Sequence, residues 1–212
     1  RESSTTWQVE RAEFDKLLYD NAAEHGADCR DETRVLDVLF DGDQANGVTL
    51  QTSDGNTLSI AGKVVVDATG LSALLANKME LKQDDPDLRK IAIWSYFENA
   101  ERETGPHGGA TIILHTEKKD SWFWFIPLRN NMTSIGVVGD REYMLAGRGK
   151  PEEIFAEELR LCSALQGRLD QATATEKYRV AREFSYTTSQ QSGPGWVLVG
   201  DAFGFIDPIY SS

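Results

Sequence analysis

Basic residues, cysteine and long apolar runs are all scarce in this 212-residue chain. It carries 22 Lys and Arg against 34 Asp and Glu, a formal net charge of −12. Such an acidic surface argues against nucleic acid or an anionic membrane as a partner, because the like charges repel. Only two cysteines occur, Cys29 and Cys162, far apart and in no metal-ligand spacing. They fit reduced thiols in a cytoplasmic protein, and no metal site is expected. No apolar run approaches the roughly 20 residues of a membrane span, and no signal-peptide pattern is found.

What remains is the composition of an ordinary globular protein, 40% hydrophobic and 26% charged. The length suffices to bury a substantial core, in one domain or one and a half. The chain does not begin with Met and stops inside its strongest motif, so an internal fragment of a longer protein is expected.

That motif closes the sequence. Val197 to Val199 is a short apolar run that reads as a buried strand. Gly200-Asp201-Ala202 then turns the chain, and a short helix is expected to open at Asp201. Small residues at a strand-to-helix turn let a ligand come close to the backbone. Asp201 would either accept a hydrogen bond from a ribitol or ribose hydroxyl or serve only as an N-cap. Gly200-Asp201-Ala202 with Asp207-Pro208 resembles the second flavin-binding fingerprint of FAD oxidoreductases of the para-hydroxybenzoate hydroxylase type. The continuation from Phe205 to Ser212 is similar to the flavin-dependent halogenase branch.

From the other end, residues 9–18 read as a helix after an extended entry. Phe14, Leu17, Leu18, Ala22 and His25 recur at helical spacing, and Gly26 is a stop. Strands are expected at 34–40, 47–52, 57–61 and 63–67, divided by Asp41-Gly42, Asn46-Gly47 and Asp54-Gly55. The last is continuously apolar, as a strand buried on both faces should be. Asp67-Ala68-Thr69-Gly70 follows, at a strand end of the kind where doubly wound folds bind ligands. It resembles the D-A-T/S-G segment of FAD enzymes. A short helix is expected over 71–79.

Composition shifts at Asp84-Asp85-Pro86-Asp87, a candidate boundary. Strands at 91–98, 111–116, 122–127 and 134–139 then imply an antiparallel sheet. A helix over 151–164 carries Ile154, Phe155, Leu159, Cys162 and Leu165 on one stripe. A strand over 178–186 returns the chain. The expected architecture is α/β: an incomplete, doubly wound FAD-binding domain (1–83 and 189–212) interrupted by an antiparallel substrate domain (84–188).

Within that second domain Trp122-Phe-Trp-Phe-Ile-Pro127 puts Trp122, Trp124 and Ile126 on one face, and Phe123 and Phe125 on the other. With both faces aromatic, a central strand covered on both sides is expected, ended by Pro127. The pattern matches W-x-W-x-I-P in full, a segment associated with flavin-dependent halogenases. In that family the tryptophans lie near the passage between flavin and substrate, and their bulk keeps the two apart.

The resemblance implies that reduced FAD, delivered by a separate flavin reductase, and oxygen oxidise a halide that then halogenates an aromatic ring. It places Arg11, within Gln-x-x-Arg, near the cofactor's phosphates. Ala68, Thr69, Gly70, Gly200, Asp201, Ala202, Asp207 and Pro208 would line the cofactor, and Ser212 the halide. Tyr210 stands where the indole-halogenating branch has glutamate, which leans toward phenols or carrier-bound pyrroles. Two family features have no counterpart: no G-x-G-x-x-G follows a first strand, and neither Lys63 nor Lys78 matches the catalytic lysine. A flavin monooxygenase or lipid-type reductase, or a flavin-binding protein without turnover, stays open beside the halogenase.

Overall fold

Residues 8–182 and 185–210 are described in the structure, a computed structural model. In chain order it has helix α1 (Arg11–Glu24) and strands β1 (Arg34–Asp41), β2 (Gln44–Gln51), β3 (Thr57–Ala61) and β4 (Val65–Asp67). Helix α2 (Leu74–Lys78) leads to β5 (Lys82–Asp84), β6 (Lys90–Glu98), β7 (Ile112–His115), β8 (Ser121–Pro127) and β9 (Met132–Asp140). Helices α3 (Arg141–Leu145), α4 (Pro151–Arg160) and α5 (Ser163–Arg168) precede β10 (Thr173–Ala174) and β11 (Arg179–Arg182). The last strands are β12 (Tyr186–Thr188), β13 (Ser192–Gly193) and β14 (Trp196–Leu198). This is a mixed α/β fold in which antiparallel sheets dominate.

Contacts divide the chain into two units, one of residues 1–25 with 89–182, the other of 26–88 with 183–212. The sequence reading put residues 1–83 with the cofactor domain, whereas α1 belongs by its contacts to the unit of the large sheet. Among the described residues no helix is long and apolar enough to cross a membrane.

The first unit is built on one antiparallel sheet, ordered β10-β6-β9-β8-β7, with β11 also paired to β6. The alternating side-chain direction along β6, β8 and β9 separates its faces. One face supplies Ile91, Ile93, Phe123, Phe125, Ile135 and Val137 to a core closed by Ile154, Phe155 and Leu165. Phe123 and Phe155 meet edge-on at 5.4 Å. The apolar stripe read from the sequence is therefore the one that packs. The single helix expected there is broken, because the chain leaves the helical region at Leu161 and Cys162 before α5 begins. The strand expected over 178–186 is likewise two, β11 beside β6 and β12 beside β5.

Cys162 lies in this core, 2% exposed, with its thiol donating to the His115 carbonyl at 3.7 Å. Burial raises its pKa, so little nucleophilic thiolate forms. A thiol reagent is expected to modify Cys162 only after denaturation. Native-state labelling at this residue, read by peptide mass, would contradict that packing.

One polar network is sealed in the same unit. The Glu158 side chain is 0% exposed and lies 2.7 Å from Arg148 Nη1. It accepts hydrogen bonds from Ser121 Oγ at 2.5 Å and Tyr143 Oη at 3.0 Å. Arg148 also reaches Glu157 at 2.8 Å. Ser121 opens β8, so this network anchors that strand's entry to α4.

The expected N-terminal helix forms as α1, although without a buried face, and one expectation, burial of β4 on both faces, fails. No residue of α1 is buried, and Phe14 and Leu17 are 42% and 60% exposed. Periodicity identified an apolar face, and Leu128 and Arg129 border it without burying it. In the second unit Val64 and Val66 are 59% and 57% exposed, so β4 is not buried on both faces. It pairs with β14 alone, at the edge of the sheet β13-β14-β4.

The second unit also holds the β1-β2-β3 meander. Asn46-Gly47, expected as a turn, lies inside β2. Gly47 pairs with Ala61, and a Cβ on it would collide with the Ile60 carbonyl. Glycine is there for close backbone approach, and the turn falls earlier, at Gly42 with φ +58°.

Candidate functional site

Two constellations emerge, one in each unit. In the second unit β4 and β14 run parallel, with Val65, Val66 and Asp67 opposite Trp196, Val197 and Leu198. The Val199 N–H donates to the Asp67 carbonyl at 2.9 Å. Parallel neighbours end at the same edge, so their turns emerge side by side. Each is a single 3-10 turn, Gly70–Ser72 and Gly200–Ala202, and the two lie against each other. The helix expected to open at Asp201 is only this one turn.

Gly70 has φ +61° and Gly200 φ +58°, both left-handed, and open space surrounds the place of a Cβ on each. Glycine adopts this backbone without the penalty a side chain brings. The backbone of both turns is thus approachable from outside.

Asp67 shapes the first turn from within. It is 4% exposed and accepts from Thr69 N at 2.9 Å, Thr69 Oγ1 at 2.7 Å and Leu75 N at 2.7 Å. Thr69 Oγ1 in turn accepts from Leu74 N at 3.0 Å. The Thr69 hydroxyl is therefore occupied inside the loop, and the backbone of Ala68, Thr69 and Gly70 is what the loop offers a ligand.

Asp201 behaves differently. The residue capping its turn is Val199, and no side chain caps it. The N-cap alternative is thereby overturned. Asp201 is exposed, and among the described residues its carboxylate has no hydrogen-bond or ion-pair partner. Its backbone carbonyl accepts from the Tyr186 hydroxyl. Tyr186 is 1% exposed; burial first, then the Asp201 and Asp67 carboxylates, raises its pKa. The phenol stays protonated and pins the turn. Sequence reading missed Tyr186, because its partner is fifteen residues away across a β-bridge to Phe205. Ala202 is buried.

Asp207 is 8% exposed, and its Oδ1 accepts from Ile209 N at 2.9 Å. Its carboxylate organises the turn Pro208–Tyr210. Lys78, not nominated from sequence, is tied to Asp37 and to the Val38 carbonyl. Arg11 lies in the other unit, ion-paired with Asp15 at 2.9 Å on an exposed helix. Ser212 lies outside the described residues.

The second constellation lies on the large sheet, on the face opposite its core. Trp122, Trp124 and Ile126 are half-buried along β8. The expected cover on both faces is corrected: helices close the phenylalanine side, while the tryptophan side keeps solvent contact. Pro127 is buried and ends the strand. Trp122 and Trp124 rings are 6.3 Å apart, and Trp124 Nε1 donates to Ser134 Oγ at 3.2 Å.

The tryptophan halogenase family model matches residues 1–212. The chain belongs to the tryptophan halogenase family. Among relatives of this halogenase-family chain is the 1H-pyrrole-2-carbonyl-[peptidyl-carrier protein] chlorinase of Pseudomonas fluorescens. It is 30% identical over 98% of this chain and 47% of its own length. The flavin-dependent halogenase otaD of Aspergillus carbonarius is 32% identical over 97% of this chain and 45% of its own. The solved structure of the myxobacterial chondrochloren halogenase CndH, a FAD-dependent halogenase, has TM-score 0.89 at 31% identity. That match covers 97% of this chain and 48% of CndH. The chain spans about half the length of the curated relatives it matches.

Proposed function

We propose that the complete protein is a FAD-dependent halogenase acting on a phenolic or pyrrolic substrate, free or carrier-bound, in the cytoplasm. The observation that carries this reading is that Trp122 and Trp124 stay half-exposed instead of joining the core. The carrier-bound option follows the pyrrole chlorinase among the relatives.

The turn pair fits FAD. Gly70 and Gly200 leave room for a nucleotide to approach the backbone of Ala68, Thr69 and Gly200, with the buried Ala202 packed beneath the turn, and Asp201 offers an unengaged carboxylate to a ribitol or ribose hydroxyl. Asp207 and Pro208, in the turn that follows, would complete the cofactor's lining. In this reading β4 and β14 are two strands of a doubly wound parallel sheet. Arg11 would exchange its surface pair with Asp15, worth little in water, for a cofactor phosphate. Ser212 would hold the halide.

Held at these turns and supplied in reduced form by a separate reductase, FAD would contribute with oxygen the two-electron oxidising power that turns halide into electrophilic halogen. The chain's own contribution is exclusion. The paired indoles would limit what can approach their face and displace water from it. Ile126 and Pro127 fix the end of that strand.

Asp201→Ala is expected to weaken FAD binding by roughly 1.5–3 kcal/mol, the worth of a charge-assisted hydrogen bond. Its melting temperature should stay near wild type, since no cap is lost. Unchanged affinity by flavin fluorescence titration would remove Asp201 from the site. The 212-residue chain alone, which has no G-x-G-x-x-G, should bind FAD weakly; submicromolar affinity would contradict this.

The reaction itself is tested with the complete protein, a flavin reductase, oxygen, chloride or bromide, and a panel of phenols, pyrroles and indoles. Halogenated product by mass spectrometry, reduced in folded Trp122→Phe or Trp124→Phe variants, supports the halogenase. Hydroxylated product without halogen, on a confirmed substrate, replaces it with a monooxygenase.

A further inference from the structure

Cross-strand register places a third tryptophan beside the motif. Trp124 on β8 pairs with Gly136 on β9, and Gly136 pairs on its other side with Trp94 on β6. Alternation puts all three on one face. Trp94 is half-buried like Trp122 and Trp124, and its ring centroid lies 6.2 Å from that of Trp124, inclined at 47°.

The middle residue of this row is what lets the rings meet. The Trp124 indole lies across Gly136: a Cβ there would fall 2.5 Å from Cη2 and 2.6 Å from Cε2. Gly136 has no left-handed backbone, so no torsion calls for glycine. Glycine inside a strand otherwise weakens it. The reason left is space for the ring. The Trp124 indole is thus seated on Gly136, flanked by Trp94 and Trp122, and held at Nε1 by Ser134.

We propose that Gly136 and Trp94 are positioning residues that set how far the Trp124 indole stands off the sheet, and so which size of aromatic substrate is admitted. This rests on the reading that the tryptophan face borders the substrate. A side chain at 136 lifts the ring and narrows the space. A smaller ring at 94 gives it slack and widens the space. Displacements of about an ångström at such a position can change turnover by up to ~100-fold.

The test uses the complete protein with its reductase. It reads the ratio of kcat/KM for a slim and a bulky phenol in wild type, Gly136→Ala, Trp94→Phe, Trp124→Phe and the Gly136→Ala/Trp124→Phe double variant. Turnover is counted whichever product forms, halogenated or hydroxylated. Failure of the halogenase reading therefore shows in the wild-type product and leaves this ratio readable. Near-UV circular dichroism reports the indole arrangement and far-UV dichroism the fold.

Gly136→Ala should favour the slim substrate by on the order of tenfold, and Trp94→Phe should move the ratio the opposite way. Both should alter the near-UV spectrum with the far-UV spectrum intact. In the Trp124→Phe background the alanine should have little further effect. Folded variants with unchanged ratios, shifts in the same direction, or an alanine effect that persists without the indole would each overturn the proposal. Should Gly136→Ala fail to fold, Trp94→Phe decides from the other flank: an unchanged or reversed ratio overturns it.

Discussion

Arg148→Met is expected to destabilise the protein by about 3–5 kcal/mol, the cost of leaving a buried carboxylate without its counter-charge. Among the described residues, Glu158 would keep only the hydroxyls of Ser121 and Tyr143. Two neutral donors do not replace a guanidinium 2.7 Å away in a medium that screens poorly. Adding Glu158→Leu should return much of the loss, because an apolar pair of similar volume carries no desolvation cost. Denaturant unfolding of the two single variants and the double variant isolates the coupling. A single-variant loss below about 1 kcal/mol would class the pair with surface ion pairs. Because Ser121 opens β8, partial unfolding here should also disturb the tryptophan signal.

Gly195→Val is the second large effect. Gly195 has φ +72°, and a Cβ on it would strike the Ala45 carbonyl and the Gln44 side chain. The same corner carries two long-range hydrogen bonds, Ala45 N to Pro194 O at 2.9 Å and Val65 N to Gly195 O at 2.8 Å. Left-handed strain of about 1–3 kcal/mol adds to about 1–3 kcal/mol of overpacking. The hairpin into β14 must move, and β14 delivers Gly200 and Asp201. Thermal unfolding should show the loss, and FAD affinity of the complete protein should fall with it. Wild-type stability in this variant would mean that the corner yields freely. Gly200→Ala makes the contrast: the same torsional strain without the collision.

Legibility in the sequence followed the range of the interaction. The strands of the large sheet could be read because period-two alternation is local, and β6, β8 and β9 lie within a few residues of expectation. The stripe of α4 and α5 was legible for the same reason. Gly47 was misread because a dipeptide signals a turn, whereas its actual reason is a carbonyl on another strand. The α1 face was visible as periodicity, which says which side is apolar and nothing about what meets it.

At the candidate site, the glycines and Asp201 could be named from type and order. Whether Asp201 caps a turn or faces outward depended on one backbone position, Val199 against Asp201. Trp94, Gly136 and Tyr186 were hidden because each acquires its role from a partner fixed by pairing register. Arg148 and Glu158 are ten residues apart in sequence, but Ser121 completes their network from another strand.

The alternation of the large sheet also bears on how such a protein can change. Neighbouring codons along β8 answer to opposite demands: Phe123 and Phe125 to the sealed core, Trp122, Trp124 and Ile126 to the open face. Variation at every second codon can explore new substrates while the intervening positions keep the scaffold intact. A library randomising 94, 122, 124 and 126 should therefore yield many folded clones, whereas one shifted by a single residue should yield few.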